Sequence, residues 1–481
     1  MKKTISIALG AFFLAGTLLI AACASAEKNS KYEITAEYLP EESKLTAEMQ
    51  FTFVNDTQNA LDDLRFELYP NAYREGAEYA PVSELYRPSA YYAGESYGGI
   101  EMLSVDGGTA WEVCGEDENI LSVSLAEPVY PDGQATLSMS FEVTLAKVNH
   151  RLGVGEHTVN LANFYPILCA YSDEGWREYV YSSNGDPFAS ECADYDVRLT
   201  VPDSYTVACG GEAVLSQSGG KKTYNIMSEN VRDCAFILGT QFFSRKTDVG
   251  GTEVEYYWFD DDTPDETLAA AADSFRYYSE TFGEYAYERY AVVQADFCYG
   301  GMEYPMMSLI SASLREGEVV PVVVHETAHQ WWYAAVGNDQ FCNAWMDEGL
   351  AQYSSALFFD AHPEYGVDKA SALARAESAY RSYFSVVQQL HGTADTSMSR
   401  PLTDFSGEYE YGNIAYHKGM ILFDRLCASI GEKRFFAGLR DYYRRYTFRM
   451  AKPEDMIACF ERAGADAEGF FASFVDGACV I

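Results

Sequence analysis

The chain has 481 residues, room for two or three domains with sizeable cores. It is 48% hydrophobic and 15% aromatic, which marks a globular protein and excludes a disordered one. Its formal charge of −38 excludes nucleic acid as a partner, because that partner needs a basic footprint. The acidic balance reads first as a highly charged exported surface. Attraction of cationic amino termini to an acidic cleft is a second reading, which net charge alone does not separate from the first.

Residues 1–26 read as a leader and tether. Lys2 and Lys3 precede an apolar or small-residue run from Ile5 to Ala22, the pattern of an export signal. Ile20-Ala21-Ala22-Cys23 resembles a bacterial lipobox. That implies lipidation at Cys23 and a place on the outer face of a bacterial membrane. Cleavage after Ala26 to give a secreted protein, or an uncleaved anchor, remain as alternatives. The other ten cysteines are scattered, with no Cys-x-x-Cys pair. They read mainly as small buried hydrophobes, with a pair between Cys192 and Cys209 or Cys234 left open.

From Lys31 to about Thr240 the chain reads as strands. YEITAEY, KLTAEMQFTFV, DDLRFELYP, ILSVSL, ATLSMSFEVTL, DYDVRLTVP, KTYNIM and DCAFILG recur between proline and glycine turn signals. They predict one β domain of two packed sheets over 27–241. VEYYWF and YAVVQAD are two further strands, on either side of a predicted helix at 264–282. Beyond Val319 the pattern is mainly helical, with helices expected over 319–337, 343–361, 369–390, 415–431 and 432–448, then two shorter ones. The expected class is therefore multidomain α+β, with a mainly helical second domain over 242–481.

The chemistry concentrates between Val322 and Tyr353. His325-Glu326-Thr327-Ala328-His329 puts two imidazoles one helical turn apart on one face. Glu326 is rotated by ~100° from His325, so it flanks a metal held there and stands where a general base for water belongs. After eighteen intervening residues, Glu348 supplies a third ligand from a second helix. Two imidazoles and one carboxylate with an open fourth position describe one zinc ion per chain. Pro321 suits the first turn of the histidine helix and Gly337 the position just past its end. Asn343 suits the cap of the Glu348 helix. Gly349 is expected to let the two metal-bearing helices approach closely.

These residues, with Trp345-Met346-Asp347-Glu348-Gly349-Leu350-Ala351, resemble the gluzincin aminopeptidases of metallopeptidase family M1. Two further motifs support the resemblance. Gly300-Gly301-Met302-Glu303-Tyr304 is similar to the family's Gly-x-Met-Glu-Asn edge strand, with Tyr304 in place of Asn. It implies that Glu303 binds the substrate's free α-amino group while Gly300, Gly301 and Met302 run beside its backbone. Tyr416-His417-Lys418-Gly419 is similar to the family's Tyr-x-Lys-Gly. It implies that Tyr416 donates to the oxyanion, with Tyr411 as the alternative. The resemblance also implies a saddle-like β sandwich, a thermolysin-like catalytic domain, and a short member lacking the large C-terminal helical domain of many relatives. Its substrates would be peptides with a free amino terminus.

The family's second amine anchor, a Gln or Glu from the β domain, has no Gln or Glu counterpart in Val159–Tyr171; Asn160 and Asn163 are the candidates there. Trp331, Trp332 and Tyr333 read as core or pocket wall, and Asp339 and Asp347 as candidate partners of a zinc histidine. Rival readings are a zinc endopeptidase with the same chemistry and a catalytically inactive surface peptide-binding lipoprotein.

Overall fold

The computed structural model describes residues 29–477. The leader, Cys23 and Cys479 lie outside the described residues. Up to Gly239 the elements are almost all strands. A seven-stranded sheet runs in the order Glu212–Ser218, Lys221–Val231, Ala193–Pro202, Lys31–Leu39, Lys44–Val54, Gln134–Thr144, Gly99–Asp106. In Lys31–Leu39, Tyr32, Ile34, Ala36 and Tyr38 all point into the core, as period-two alternation requires. A second sheet is built on Leu61–Glu67 and Ile120–Val129. Phe66 from that sheet meets Phe51 of the first, edge to face, with ring centroids 5.3 Å apart.

Three strands that the sequence reading does not name lie at sheet edges: Gly99–Asp106, Gly108–Cys114 and Glu212–Ser218. Gly108–Cys114 and Glu212–Ser218 are exposed along most of their length, and Gly99–Asp106 buries a single residue, Met102. With little to bury on either face they carry no hydrophobic alternation to read.

Glu67 is buried, and its carboxylate accepts the Tyr179 backbone N–H at 2.9 Å. Burial pushes its pKa up to about 8 despite that bond. A carboxyl held above its unfolded value favours folding while it keeps its proton, and that stability is lost as pH rises from about 4.5 towards 8. Glu67→Gln, which keeps the acceptor, is therefore expected to raise the melting temperature by several degrees at pH 8 and not at pH 4. Thermal melts across that range check it; an equal effect at both pH values would sink it.

From Phe243 onward the chain forms a five-stranded sheet and then helices. The sheet order is Phe243–Val249, Thr252–Trp258, Arg289–Ala295, Met307–Ser311, Gly301–Met302, so Gly301–Met302 is an edge strand. Pro264–Phe282 and Lys369–His391 are helices as predicted. The helix expected over 319–337 is shorter: it spans Val319–Ala328, with His329 at its C-cap. Gly337 does not follow the helix end but lies in the strand Val336–Asn338, which pairs with Arg449–Ala451.

Beyond the stop, buried Arg232, reaching across from the β-rich half, keeps the chain from returning to helix. Its guanidinium donates to the carbonyls of Tyr333 at 2.8 Å, Ala335 at 3.3 Å and Arg449 at 2.7 Å. A charged donor that takes these carbonyls holds them outside a helical ladder. A Cβ on Gly337 would stand 2.1 Å from the Arg232 Cζ.

Asn343 is likewise not a cap: it ends a short helix, Gln340–Asn343, capped by Asp339, and the next helix is Glu348–Ala361. The nine described cysteines are all free, so the pairing left open for Cys192 is absent among the described residues. No described helix is long and apolar enough to cross a membrane.

Candidate metal centre and catalytic site

His325 and His329 sit at the end of the helix Val319–Ala328, and Glu348 opens the helix Glu348–Ala361. The three donors converge. Nε2 of His325 and Nε2 of His329 are 3.1 Å apart, and Glu348 Oε2 is 3.2 and 3.3 Å from them. Tetrahedral ligands at ~2.0–2.1 Å from a zinc ion lie ~3.3 Å from one another, so this triangle has the size of a zinc face. His329 Nδ1 donates to the Trp332 carbonyl at 2.9 Å, which leaves its Nε2 lone pair for a metal.

The surrounding charge also calls for a cation. Asp186, Glu303, Glu326, Asp347 and Glu348 all act on this small buried region. Burial raises the Glu303 carboxyl, with Asp186 adding to the effect. Burial also raises Glu348, but the two imidazoles overcome it and hold that carboxyl below its usual range.

Glu326 is buried with its Oε2 unpartnered among the described residues, and burial pushes its carboxyl up to about 8. Its Oε1 lies where a Cβ on Gly301 would stand 2.5 Å away. Gly301 thus makes room for this carboxylate; Gly300 beside it is the more open position. Gly300 and Gly301 line a cleft of about 610 Å³ that also contains His325, Glu326 and Tyr416. Met302 and Glu303 are buried behind that edge. Met302 does not face the cleft: its Sδ accepts from Arg151 Nε at 3.3 Å. Glu303 reaches the cluster, with a carboxylate oxygen within 4.8 Å of donors on Glu326 and His329, and accepts from Gln340 Nε2 at 3.0 Å.

Tyr416 lies in a π-helical turn, Gly412–Lys418, a form common at functional sites. Its hydroxyl donates to Glu348 Oε1 at 2.6 Å, and its ring lies 5.8 Å from that of His325. The turn is clamped by Lys418, whose buried ammonium donates to the carbonyls of Thr396 and Phe474, each at 2.6 Å. Tyr411 stands 5.7 Å from Tyr416, ring to ring, with its hydroxyl against Gly185.

Gly349 does permit a close approach, but to a different helix from the one expected. A Cβ there would stand 2.9 Å from the Cα of Gly419, so it admits the helix that follows Tyr416 rather than the histidine helix.

The residue that sequence reasoning missed is Asp186. Its carboxylate lies within 4.8 Å of oxygens of Glu303 and Glu348 and is paired with the guanidinium of buried Arg151. It belongs to a loop of the β-rich half without periodicity or motif, so no local signal could have found it. The other candidates are committed elsewhere. Asn160 donates to the carbonyls of His150 and Asp296, at 2.8 and 2.9 Å, and Asn163 to Asp233 at 3.4 Å. Asp347 accepts from Asn338 and Gln340, at 3.2 and 2.6 Å, and has no described bond to an imidazole. Asp339 serves as the helix cap. Trp331, Trp332 and Tyr333 are core.

Residues 266–474 match the Peptidase family M1 domain. The chain is 26% identical over 192 residues to aminopeptidase N of Haemonchus contortus, covering 36% of this chain and 19% of that protein. It is 23% identical over 382 residues to aminopeptidase N of Lactococcus lactis subsp. lactis (strain IL1403), covering 75% of this chain and 44% of that one. It thus spans less than half the length of either relative. In fold it is similar to the M1 zinc metallopeptidase of Deinococcus radiodurans, with a TM-score of 0.65 at 18% identity over 95% of this chain and 96% of that one. A point mutant of that enzyme, bound to a Tyr-Ser-Ala substrate, has a TM-score of 0.64 at 18% identity, covering 95% of this chain and 96% of that one.

Proposed function

On the premise that residues 266–474 carry a peptidase family M1 domain, we propose that this chain is a zinc-dependent aminopeptidase. The single observation that carries the reading is the triangle of His325, His329 and Glu348 with buried carboxylates around it. His325, His329 and Glu348 would hold the zinc, and the donor distances and the negative surroundings fit it. When bound there, zinc supplies Lewis acidity, lowering the pKa of water and polarising a peptide carbonyl.

The chain's own residues then divide the work. Glu303, with Asp186 beside it, faces the substrate's α-ammonium group, and these carboxylates set the register from the amino end. The edge strand Gly301–Met302 offers backbone groups to an extended peptide. Glu326 takes a proton from the attacking water and passes it to the leaving amine. Its Oε2 has no hydrogen-bond partner among the described residues, which leaves that oxygen free to accept the proton. Tyr416, whose phenol burial holds above its usual range, stays a neutral donor for the oxyanion.

Peptides with free amino ends are expected to be hydrolysed at least ~100-fold faster than the same peptides N-acetylated, because acetylation removes the charge that two buried carboxylates would bind. Equal rates, read by mass spectrometry of the products, would replace this reading with an endopeptidase.

The saddle-like sandwich, the thermolysin-like catalytic domain and the division near residue 242 belong to this proposal, supported by the change from sheets to helices along the chain. So does export as a lipoprotein anchored through Cys23, which rests on the leader pattern alone. Cys23→Ala is expected to move the protein out of the detergent phase of a fractionated bacterial host. Retention in that phase would count against the lipid anchor.

A further inference from the structure

The cleft continues beyond the metal donors, and its far end has its own chemistry. Gln352, Ser355, Ala356 and Phe359 line it. They stand four, seven, eight and eleven residues after Glu348 on one helix, so they form a stripe on one face. At 1.5 Å per residue the stripe carries the cleft ~16 Å from the ligand carboxylate. Asp186 and Glu303 lie within 4.8 Å of Glu348, so Phe359 marks the end opposite the proposed amine anchors.

At that end the wall is apolar, from Phe359, Val367 and Ala372, and Arg375 joins it from the helix Lys369–His391. Ala372 and Arg375 are three apart, hence on one face. Among the described residues one other arginine lines the cleft, Arg151, and it is committed to Asp186. Arg375 is exposed, and no carboxylate among the described residues pairs with it. Asp368 feels its charge, but the Asp368 oxygens accept from the Ser371 amide and hydroxyl at 2.8 and 2.7 Å. In a chain with 72 acidic and 34 basic residues, an unpaired guanidinium in the cleft wall is a directed feature. Its planar fork suits a carboxylate.

We propose that Arg375 binds the terminal carboxylate of short peptides, while Phe359, Val367 and Ala372 receive an apolar side chain beside it. An extended chain of about two to five residues beyond the scissile bond spans ~7–17 Å, the range over which this stripe runs. The substrate class is thus oligopeptides with both ends free. This rests on the aminopeptidase reading for its direction, because the amine anchors define the opposite end.

The test uses the full chain and a series of three- to eight-residue peptides with free amino ends, each as the carboxylic acid and as the amide. The acid is expected to be preferred about ten-fold in kcat/KM at the shorter lengths, mainly through KM, with the preference fading as the peptide outgrows the cleft. Arg375→Gln should bring the acid-to-amide ratio to about one, and Arg375→Glu below one. The same acid and amide pairs are titrated into the Glu326→Gln variant by calorimetry, which reads the preference without turnover. Equal handling of acid and amide by the wild-type chain, or a preference that survives both Arg375 variants, overturns the proposal. N-acetylated peptides enter as a separate arm. If they are cleaved as fast as free ones, the aminopeptidase reading fails, while the acid-to-amide ratio still reports on Arg375.

Discussion

Glu326→Gln is expected to lower kcat/KM by roughly 10³–10⁴-fold while leaving about one zinc per chain. Glutamine has nearly the shape of glutamate, so it fits the space that Gly301 leaves for it, where a Cβ on the glycine would come within 2.5 Å of Oε1. It cannot accept a proton, and it is not one of the three converging donors. Loss of activity with metal retained separates the base from the ligands. Metal analysis by mass spectrometry beside a peptide-hydrolysis assay gives both numbers. Activity within ten-fold of the wild type would remove Glu326 from the mechanism, and loss of zinc would make its role structural.

Tyr416→Phe should cost ~10²–10³-fold in kcat with little change in KM, since an oxyanion donor acts in the transition state and not in substrate binding. The hydroxyl lies 2.6 Å from Glu348 Oε1, and Tyr416 lines the cleft together with His325 and Glu326. Tyr411→Phe serves as the comparison: its hydroxyl packs against Gly185, so it should affect turnover far less. If the two variants lost activity equally, or if the Tyr416 variant lost it through KM, the oxyanion role would fall. Steady-state kinetics on one free-amine peptide decide this.

Both expectations begin from residues legible in the chain itself. The four-residue spacing of His325 and His329 puts two imidazoles on one helical face wherever a helix forms, because 3.6 residues make a turn. Alternation in segments such as Lys31–Leu39 names a half-buried strand without any tertiary information. Edge strands such as Gly108–Cys114 escape that logic because they bury almost nothing. The local pattern carries the histidine helix on to Gly337, whereas the fold ends it at Ala328, and a contact outside that pattern holds the following segment out of helix. Arg232, about a hundred residues earlier, takes the carbonyls of Tyr333 and Ala335.

The candidate site divides in the same way. The candidate metal donors and base are read from the spacing of His325, Glu326, His329 and Glu348, and the candidate oxyanion tyrosine from the motif that carries the family resemblance. Tertiary structure alone brings Asp186 beside Glu303 and pairs it with Arg151. It sets Gly349 against Gly419 rather than against the histidine helix, buries Met302, and leaves Arg375 in the far wall of the cleft without a carboxylate partner among the described residues. The physical reason is range. Hydrophobic period and helix capping are properties of neighbouring residues, written in the order of the chain. A carboxylate that gains a partner 35 residues away, or a glycine that clears a backbone 70 residues on, depends on how whole elements pack. In this protein the candidate reactive groups were legible from sequence, and the shape and charge of the space around them came only from the fold.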